Sequence, residues 1–332
     1  CNLIMVNESQ AHIAIIGTGQ LGSRHLQGLS MIGRAIKITV IDPNPASLEI
    51  AQKRYEEMPA SKFDQSVIYA ETMHVLDKDV DVAIISTNAD VRRNAVEELL
   101  KHVSVQFMIL EKVAFQSVED FQTVIELLDK NKIKAWKNCT RRMCPAFRKM
   151  RGELTKHEYI DFRLEGDNWG MACNTIHMLD LFAFLTDETQ FSIDTSGIDN
   201  KVYQSNKNGF IELGGVLSAT TSRGDHLTLI DSREASRRAL FEVSSEHHCY
   251  TIFQTEGRIV SKHKESEWAA QEQPYAMPYQ SKLTHLAVQM ILDSGECDLT
   301  PIKESFALHK PLLEAFTSHL EMATGNKYAK CP

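Results

Sequence analysis

The chain has 332 residues, 43% hydrophobic and 24% charged, with a formal net charge of -8. That length exceeds one ordinary core and predicts two domains. The acidic balance excludes nucleic acid as the main partner, because phosphate binding needs a concentrated basic surface.

The basic pairs Arg141-Arg142 and Arg237-Arg238 are too short for such a surface and read as solvated. No apolar run reaches the ~20 residues of a membrane span. The opening CNLIMVNESQ lacks the charged and long apolar regions of a signal peptide. A cytoplasmic protein is therefore expected, with its seven cysteines reduced. Their number is odd and no CxxC occurs, so no metal site is expected.

Taken in chain order, residues 11–16 (AHIAII) read as a strand and 20–32 as a helix. Strand 36–41 and helix 45–57 follow, then a weak strand at 67–69, strand 81–85 and helix 91–102. Strand 105–110, helix 117–131 and strand 133–137 complete the series. Strands alternating with helices predict a doubly wound parallel sheet, since parallel strands need crossover connections. The rhythm changes near residue 138. A helix at 144–156, a strand at 159–165 and a helix at 173–185 precede β-type segments at 210–220, 226–231, 238–244, 249–254 and 258–261. Helices at 279–293 and 301–323 close the chain, the second with Thr300 as cap and Pro301 in its first turn. The expected fold is α/β: a parallel-sheet domain over 1–138, then an α/β domain on a mostly antiparallel sheet over 139–332. Helix 301–323 is a candidate for packing back on the first domain.

Gly17-Thr18-Gly19-Gln20-Leu21-Gly22 directly follows the first strand and opens the first helix. In that context the three glycines suit a tight turn, close approach of a pyrophosphate and close helix–strand packing. The helix N-terminus offers unpaired N–H groups and partial positive charge to phosphates. The plainer alternative is an ordinary glycine turn. Asp42 lies twenty residues past Gly22, at the end of the strand IKITVI, where a carboxylate can accept from ribose hydroxyls. It would repel a 2′-phosphate, which predicts NAD over NADP; otherwise it merely opens the turn Asp42-Pro43-Asn44-Pro45.

These residues resemble the Gfo/Idh/MocA oxidoreductases. AIIGTGQLGSRHLQGL is similar to the family's nucleotide turn, and DVAIISTNADV to its fourth strand, with Thr87 and Asn88 beside the cofactor. LEKVAFQS resembles the family's Glu-Lys-Pro motif, Glu111 and Lys112 matching and Val113 replacing proline. NTIHMLDLFAFLTD resembles the substrate-domain helix, and DLTPIKESFALHKPLLEAF the C-terminal helix. The resemblance covers nearly the whole chain. It implies a Rossmann domain, an open-sheet second domain, a sugar-like small-molecule substrate, and a homodimer or homotetramer.

It also implies that Lys112 and His177 line the substrate site. Lys112 stands at the carboxyl end of a parallel strand, where such sheets bind ligands, although a surface lysine is the alternative. His177 suits acid/base work. Its helix is apolar nearly all round, so a buried histidine needs a partner, for which Asp180 is the candidate, and the pair could equally be a core pair without chemistry. The family's aspartate, four positions before the histidine, falls on Cys173, and a neutral thiol supplies no negative charge. Asn138, Arg141, Asn168 and Asn174 complete the substrate-site candidates, with Arg141 and Arg142 suited either to an anionic substrate group or to internal salt bridges. Two functions follow: an NAD-dependent dehydrogenase or reductase, or a non-catalytic sensor of NAD(H) and a sugar-like ligand.

Overall fold

A computed structural model describes residues 10–76, 79–154, 158–205, 209–233 and 238–325. The opening segment and Arg237 lie outside these residues; Arg238 is exposed. The chain forms two compact units, neither continuous in sequence. The first runs to Glu111 and adds Glu126–Asn138 and Tyr279–Asp298; the second takes Lys112–Ile125, Cys139–Pro278 and the chain from Leu299 onward.

In the first unit, β1 (Ala11–Ile16), β2 (Ile36–Ile41), β3 (Gln65–Ala70), β4 (Val80–Ile85), β5 (Val105–Leu110) and β6 (Lys134–Lys137) pair in parallel. Their order is β6-β5-β4-β1-β2-β3. Ile13, Ile15, Ile38, Val40, Val82 and Ile84 are fully buried, as expected of strands covered on both faces. Helices α1 (Gln20–Leu29), α2 (Pro45–Glu56) and α3 (Ala89–His102) make crossovers within this unit, and α4 (Val118–Lys130), of which only the last turn from Glu126 belongs to it, connects β5 to β6. Strand order reverses between β1 and β4, which opens a crevice at the carboxyl ends of these strands.

In the second unit, α5 (Pro145–Glu153), β7 (Asp161–Gly166), α6 (Met171–Thr186) and β8 (Phe191–Ile198) precede a small hairpin, β9 (Tyr203–Gln204) with β10 (Ile211–Glu212). Then come β11 (Gly215–Thr221), β12 (His226–Asp231), β13 (Leu240–Ser244), β14 (His248–Phe253), β15 (Arg258–His263) and β16 (Gln271–Pro274). The order of the larger sheet is β16-β15-β14-β13-β7-β12-β11-β8. Its pairings are antiparallel except β7 with β12, which run parallel. The α/β class and the mostly antiparallel second sheet are borne out. Phe162, Leu164, Leu217, Leu229, Val243 and Ile252 alternate inward and form the core with Leu179 and Phe182 of α6.

Helices α7 (Thr284–Ser294) and α8 (Ile302–Thr324) follow. α7 packs on α1 within the first unit, and α8 lies against α6 and β8 within the second.

Several local expectations change. The helix expected from 279 begins at Thr284, after a short 3-10 turn over Gln280–Lys282. The single strand expected over 210–220 is broken between β10 and β11. Gly215 takes φ +97°, and a Cβ there would lie 2.5 Å from the Gly197 carbonyl oxygen. Thr300 does not cap α8; its hydroxyl donates to Asp180 Oδ1 at 2.5 Å, and Pro301 occupies the cap position. β8 and β16 were not expected. Both are edge strands, and FSIDTSGI and QEQP carry too few apolar residues to announce themselves.

Candidate functional site

The dinucleotide turn is built from β1, α1 and the ends of β2 and β4. Gly17 takes φ +90°, and a Cβ there would lie 2.8 Å from the Thr87 backbone nitrogen. At Gly22 an added Cβ would meet the Gly17 carbonyl oxygen at 2.0 Å, so only glycine lets α1 start this close to the turn. Gly19 has open space around its Cβ position and takes the cap position of α1 without a side-chain cap. That leaves the helix N-terminus to a ligand. Thr18 N donates to Asp42 Oδ2 at 2.7 Å and Asn44 N donates to Asp42 Oδ1 at 2.9 Å. The carboxylate is thereby held on the crevice wall. Gln20 accepts from Arg54 Nη2 at 2.9 Å, and Leu21 is exposed in the first turn of α1.

A cavity of about 630 Å³ runs along this crevice, lined among others by Gly17, Gly19, Asp42, Thr87, Asn88 and Val91. The buried hydroxyl oxygens of Thr18 and Thr87 have no hydrogen-bond partner. A glycine cradle, an open helix end, an acidic residue at the second strand and an unpaired Thr87 hydroxyl in the cavity all fit NAD.

Sequence reasoning missed Arg92. It is fully buried, and desolvation lowers its pKa to about 10 against the raising effect of Glu111 and Asp90. Nη1 donates to the Glu111 carbonyl at 2.6 Å and Nη2 donates to the Thr87 carbonyl. Arg92 thus ties together the carboxyl ends of β4 and β5, although Arg92-Arg93 within a helix looks like solvated surface. The Glu111 carboxylate is equally internal: Oε1 accepts from Asn138 Nδ2 at 2.5 Å and pairs with His25 Nε2 at 2.8 Å. Asn138 Nδ2 also donates to Gln280 Oε1 at 2.8 Å.

The second unit carries a separate polar cluster. Lys112 Nζ donates to Asn174 Oδ1 at 3.1 Å and to the Cys173 carbonyl at 3.4 Å, with Cys173 Sγ at 3.5 Å. No peptide bond among the described residues is cis, so Val113 follows Lys112 through an ordinary trans bond. Asn174 Nδ2 donates to the Trp169 carbonyl at 2.7 Å, which orients its amide toward the lysine. Burial pushes the Cys173 thiol above its ordinary pKa although Lys112 pulls it down, so the thiol is neutral at pH 7. His177, one turn along α6, has Nδ1 3.8 Å from Cys139 Sγ.

Asp180 is not the histidine's partner. It accepts from Arg142 Nε at 2.9 Å, pairs with Arg142 Nη2 at 2.9 Å and takes the Thr300 hydroxyl. Arg142 Nη2 also donates to Glu304 at 2.7 Å. Of the two arginines, Arg142 therefore makes internal salt bridges. Arg141 lies over the Phe241 ring, 5.3 Å from its centroid, and reaches Gln254 at 3.5 Å. Asn168 is exposed in the left-handed region (φ 54°), its backbone nitrogen donating to Asp231 Oδ1 at 2.7 Å.

Two buried carboxylates that the sequence did not single out shape this region. Asp231 holds the loop before α6 through Asn168 N and Gly170 N. Glu212 accepts from Ala172 N and Leu213 N, which caps α6 electrostatically. Burial raises the Glu212 pKa despite these donors and Arg233.

Parallel strands that reverse order at a glycine turn, with an acidic residue closing the second strand, define a dinucleotide-binding Rossmann domain. Residues 11–138 match the family model described as the oxidoreductase family, NAD-binding Rossmann fold, of Gfo/Idh/MocA. This part of the chain is similar to that family, and the cofactor of its Rossmann domain is NAD.

Solved structures share the fold over nearly the whole length. An oxidoreductase from Agrobacterium radiobacter, in complex with NAD+, L-tartaric acid and magnesium, is 14% identical with a TM-score of 0.71, covering 96% of this chain and 98% of that one. UDP-N-acetylglucosamine 3-dehydrogenase from Acidithiobacillus ferrooxidans is 13% identical with a TM-score of 0.71, covering 95% and 99%. A Gfo/Idh/MocA family oxidoreductase from Vibrio cholerae is 18% identical with a TM-score of 0.68, covering 96% and 100%. By sequence alone, no curated relative matches. Among the described residues, no helix is long and apolar enough to cross a membrane.

Proposed function

We propose that the protein is an NAD-dependent oxidoreductase that interconverts a hydroxyl and a keto carbon of a sugar, inositol or nucleotide-sugar derivative. The observation that carries this reading is the Lys112 cluster. An ammonium group bonds to Asn174 and the Cys173 carbonyl, one helical turn before His177. NAD, when bound, supplies the hydride acceptor or donor. Lys112 donates a hydrogen bond to a substrate oxygen and orients it, with Asn174 fixing the ammonium. His177 takes the hydroxyl proton during oxidation and returns one during reduction. On the cofactor side, the turn from Gly17 to Gly22 receives the pyrophosphate, Asp42 the ribose hydroxyls, and Thr87 and Asn88 flank the groove. Glu111 acts through the buried network that holds the end of β5.

Arg141 and Asn168 are the proposed substrate contacts beside Lys112 and His177, while Asn174, whose amide is engaged with Lys112 and the Trp169 carbonyl, positions the ammonium. Asn138 is engaged with Glu111 and Gln280 and is left out of that set. Sugar-type substrates are in keeping with the nucleotide-sugar dehydrogenase among the structures of similar fold. The reading carries a cytoplasmic setting and a homodimer or homotetramer.

One observation favours a second reading. The position at which the family's aspartate is expected holds Cys173, a thiol kept neutral by burial, so the cluster gains no negative charge from it. A protein that binds NAD(H) and a sugar-like ligand as a sensor would tolerate that replacement. Nicotinamide absorbance, followed with NAD or NADH and a panel of inositols, sugars, keto-sugars and nucleotide sugars, separates the two. The enzyme reading expects a substrate-dependent change that Lys112→Ala and His177→Ala abolish while NAD binding persists. A ligand that alters NADH binding without turnover, equally in both variants, would establish the sensor instead.

A further inference from the structure

The NAD groove does not end at the ribose. Past Asp42 it continues between the loop Glu71–His74 and the face of α3 that carries Val91, Ala95, Glu98 and His102. Val91 is 47% exposed and presents an apolar wall to the groove. At the far end the rings of His74 and His102 meet edge to face, centroids 4.9 Å apart at 61°.

The hydrogen bonds of these two rings set their protons. His102 Nδ1 lies 2.9 Å from the Glu98 carbonyl oxygen, with the Glu98 carboxylate 3.6 Å from the same nitrogen. A carbonyl oxygen only accepts, so Nδ1 carries the hydrogen and neutral His102 keeps its lone pair on Nε2. That Nε2 lies 3.2 Å from His74 Nδ1, which must therefore donate. The lone pair of His74 is then left on Nε2, in an exposed side chain that lines the groove. Through two rings, one backbone carbonyl fixes a hydrogen-bond acceptor at the end of the cavity.

We propose that His74, with its tautomer set by His102, recognises the 6-amino group of the adenine of NAD and discriminates against 6-oxo purines. This rests on the NAD reading of the first unit. Adenine offers an N–H donor at C6 to the Nε2 lone pair, while Val91 and Ala95 supply apolar contact for the ring face. A 6-oxo purine would bring a second acceptor against the first and leave both unsatisfied.

The test uses the full chain, titrated calorimetrically with NAD and with nicotinamide hypoxanthine dinucleotide, which differ at the purine C6 position. Wild type is expected to bind NAD about tenfold tighter, the size of one hydrogen bond gained against one acceptor left unpaired. His74→Phe keeps an aromatic ring without the lone pair and should cut the ratio to about twofold or less, chiefly through weaker NAD binding. His102→Phe, which releases the His74 tautomer, should also lower it. His74 is exposed, so thermal unfolding of His74→Phe is expected to match wild type. Equal affinities in wild type, or a ratio preserved in His74→Phe, would overturn the assignment while leaving NAD binding intact. Absence of saturable binding of either dinucleotide would overturn the NAD reading and this proposal together.

Discussion

Replacing Asp180 with alanine strips Arg142 of the carboxylate that holds two of its nitrogens at 2.9 Å, in a site where Asp180 is 1% and Arg142 7% exposed. Desolvation works to lower the Arg142 pKa, yet Asp180 and Glu304 raise it above its ordinary value. With Asp180 gone the arginine still stays charged, because a guanidinium is not deprotonated near neutral pH and Glu304 remains beside it. Removing one partner of a buried pair costs about 3–5 kcal/mol, because the other charge is left uncompensated. Glu304 keeps its 2.7 Å contact but is itself 30% exposed, so it offsets only part. The Thr300 hydroxyl loses its acceptor as well, at about 1 kcal/mol. A loss of about 3–4 kcal/mol is expected overall. Urea unfolding would read it as a lower midpoint at unchanged slope, and thermal unfolding as a fall in Tm of roughly 10 °C. The double variant Arg142→Met with Asp180→Leu should recover most of the loss, since no buried charge remains. A loss below about 1 kcal/mol for Asp180→Ala, or a double variant no better than the single one, would refute the reasoning.

Other outcomes follow from the same geometry. Asp42→Ser should narrow the affinity gap between NAD and NADP by roughly tenfold, since a carboxylate facing a 2′-phosphate is removed; an unchanged gap in a binding titration would take Asp42 out of that role. Gly22→Ala drives a methyl to 2.0 Å from the Gly17 carbonyl oxygen, so NAD binding should be lost and stability should fall by about 1–3 kcal/mol or more. Wild-type affinity in that variant would contradict the close packing of α1. Glu212 has its folded pKa raised above 4.5 by burial, so the folded protein keeps a proton that the unfolded chain releases. Its contribution is fully present below pH 4.5 and is lost as pH rises through the folded value. Glu212→Gln should flatten that part of the stability profile, and denaturation curves between pH 4 and 7 with the same slope in both proteins would argue against it.

The parts legible in the sequence are those whose physical cause lies within a few consecutive residues. Gly17 and Gly22 are required by a local backbone path, Gly19 leaves the helix start open, and Asp42 directly follows the strand that places it. The alternating strands and helices of the first unit follow from apolar periods that neighbouring residues carry themselves. Lys112 and His177 could be singled out by resemblance, and the structure places them in one unit, Lys112 beside Cys173 and Asn174.

Only the folded chain decided who pairs with whom. Asp180 stands three residues from His177, yet its oxygens go to Arg142 and to Thr300, 120 residues away. Arg92 looks like surface until it is found bound to the carbonyls that end β4 and β5. Glu212 meets the start of α6 from another strand, and the His74 tautomer depends on a histidine 28 positions away. Hydrogen bonds and ion pairs reach about 3 Å whatever the separation along the chain. No local period encodes such partners; they are set where the backbone brings distant segments together, and there the chemistry of the buried groups is decided.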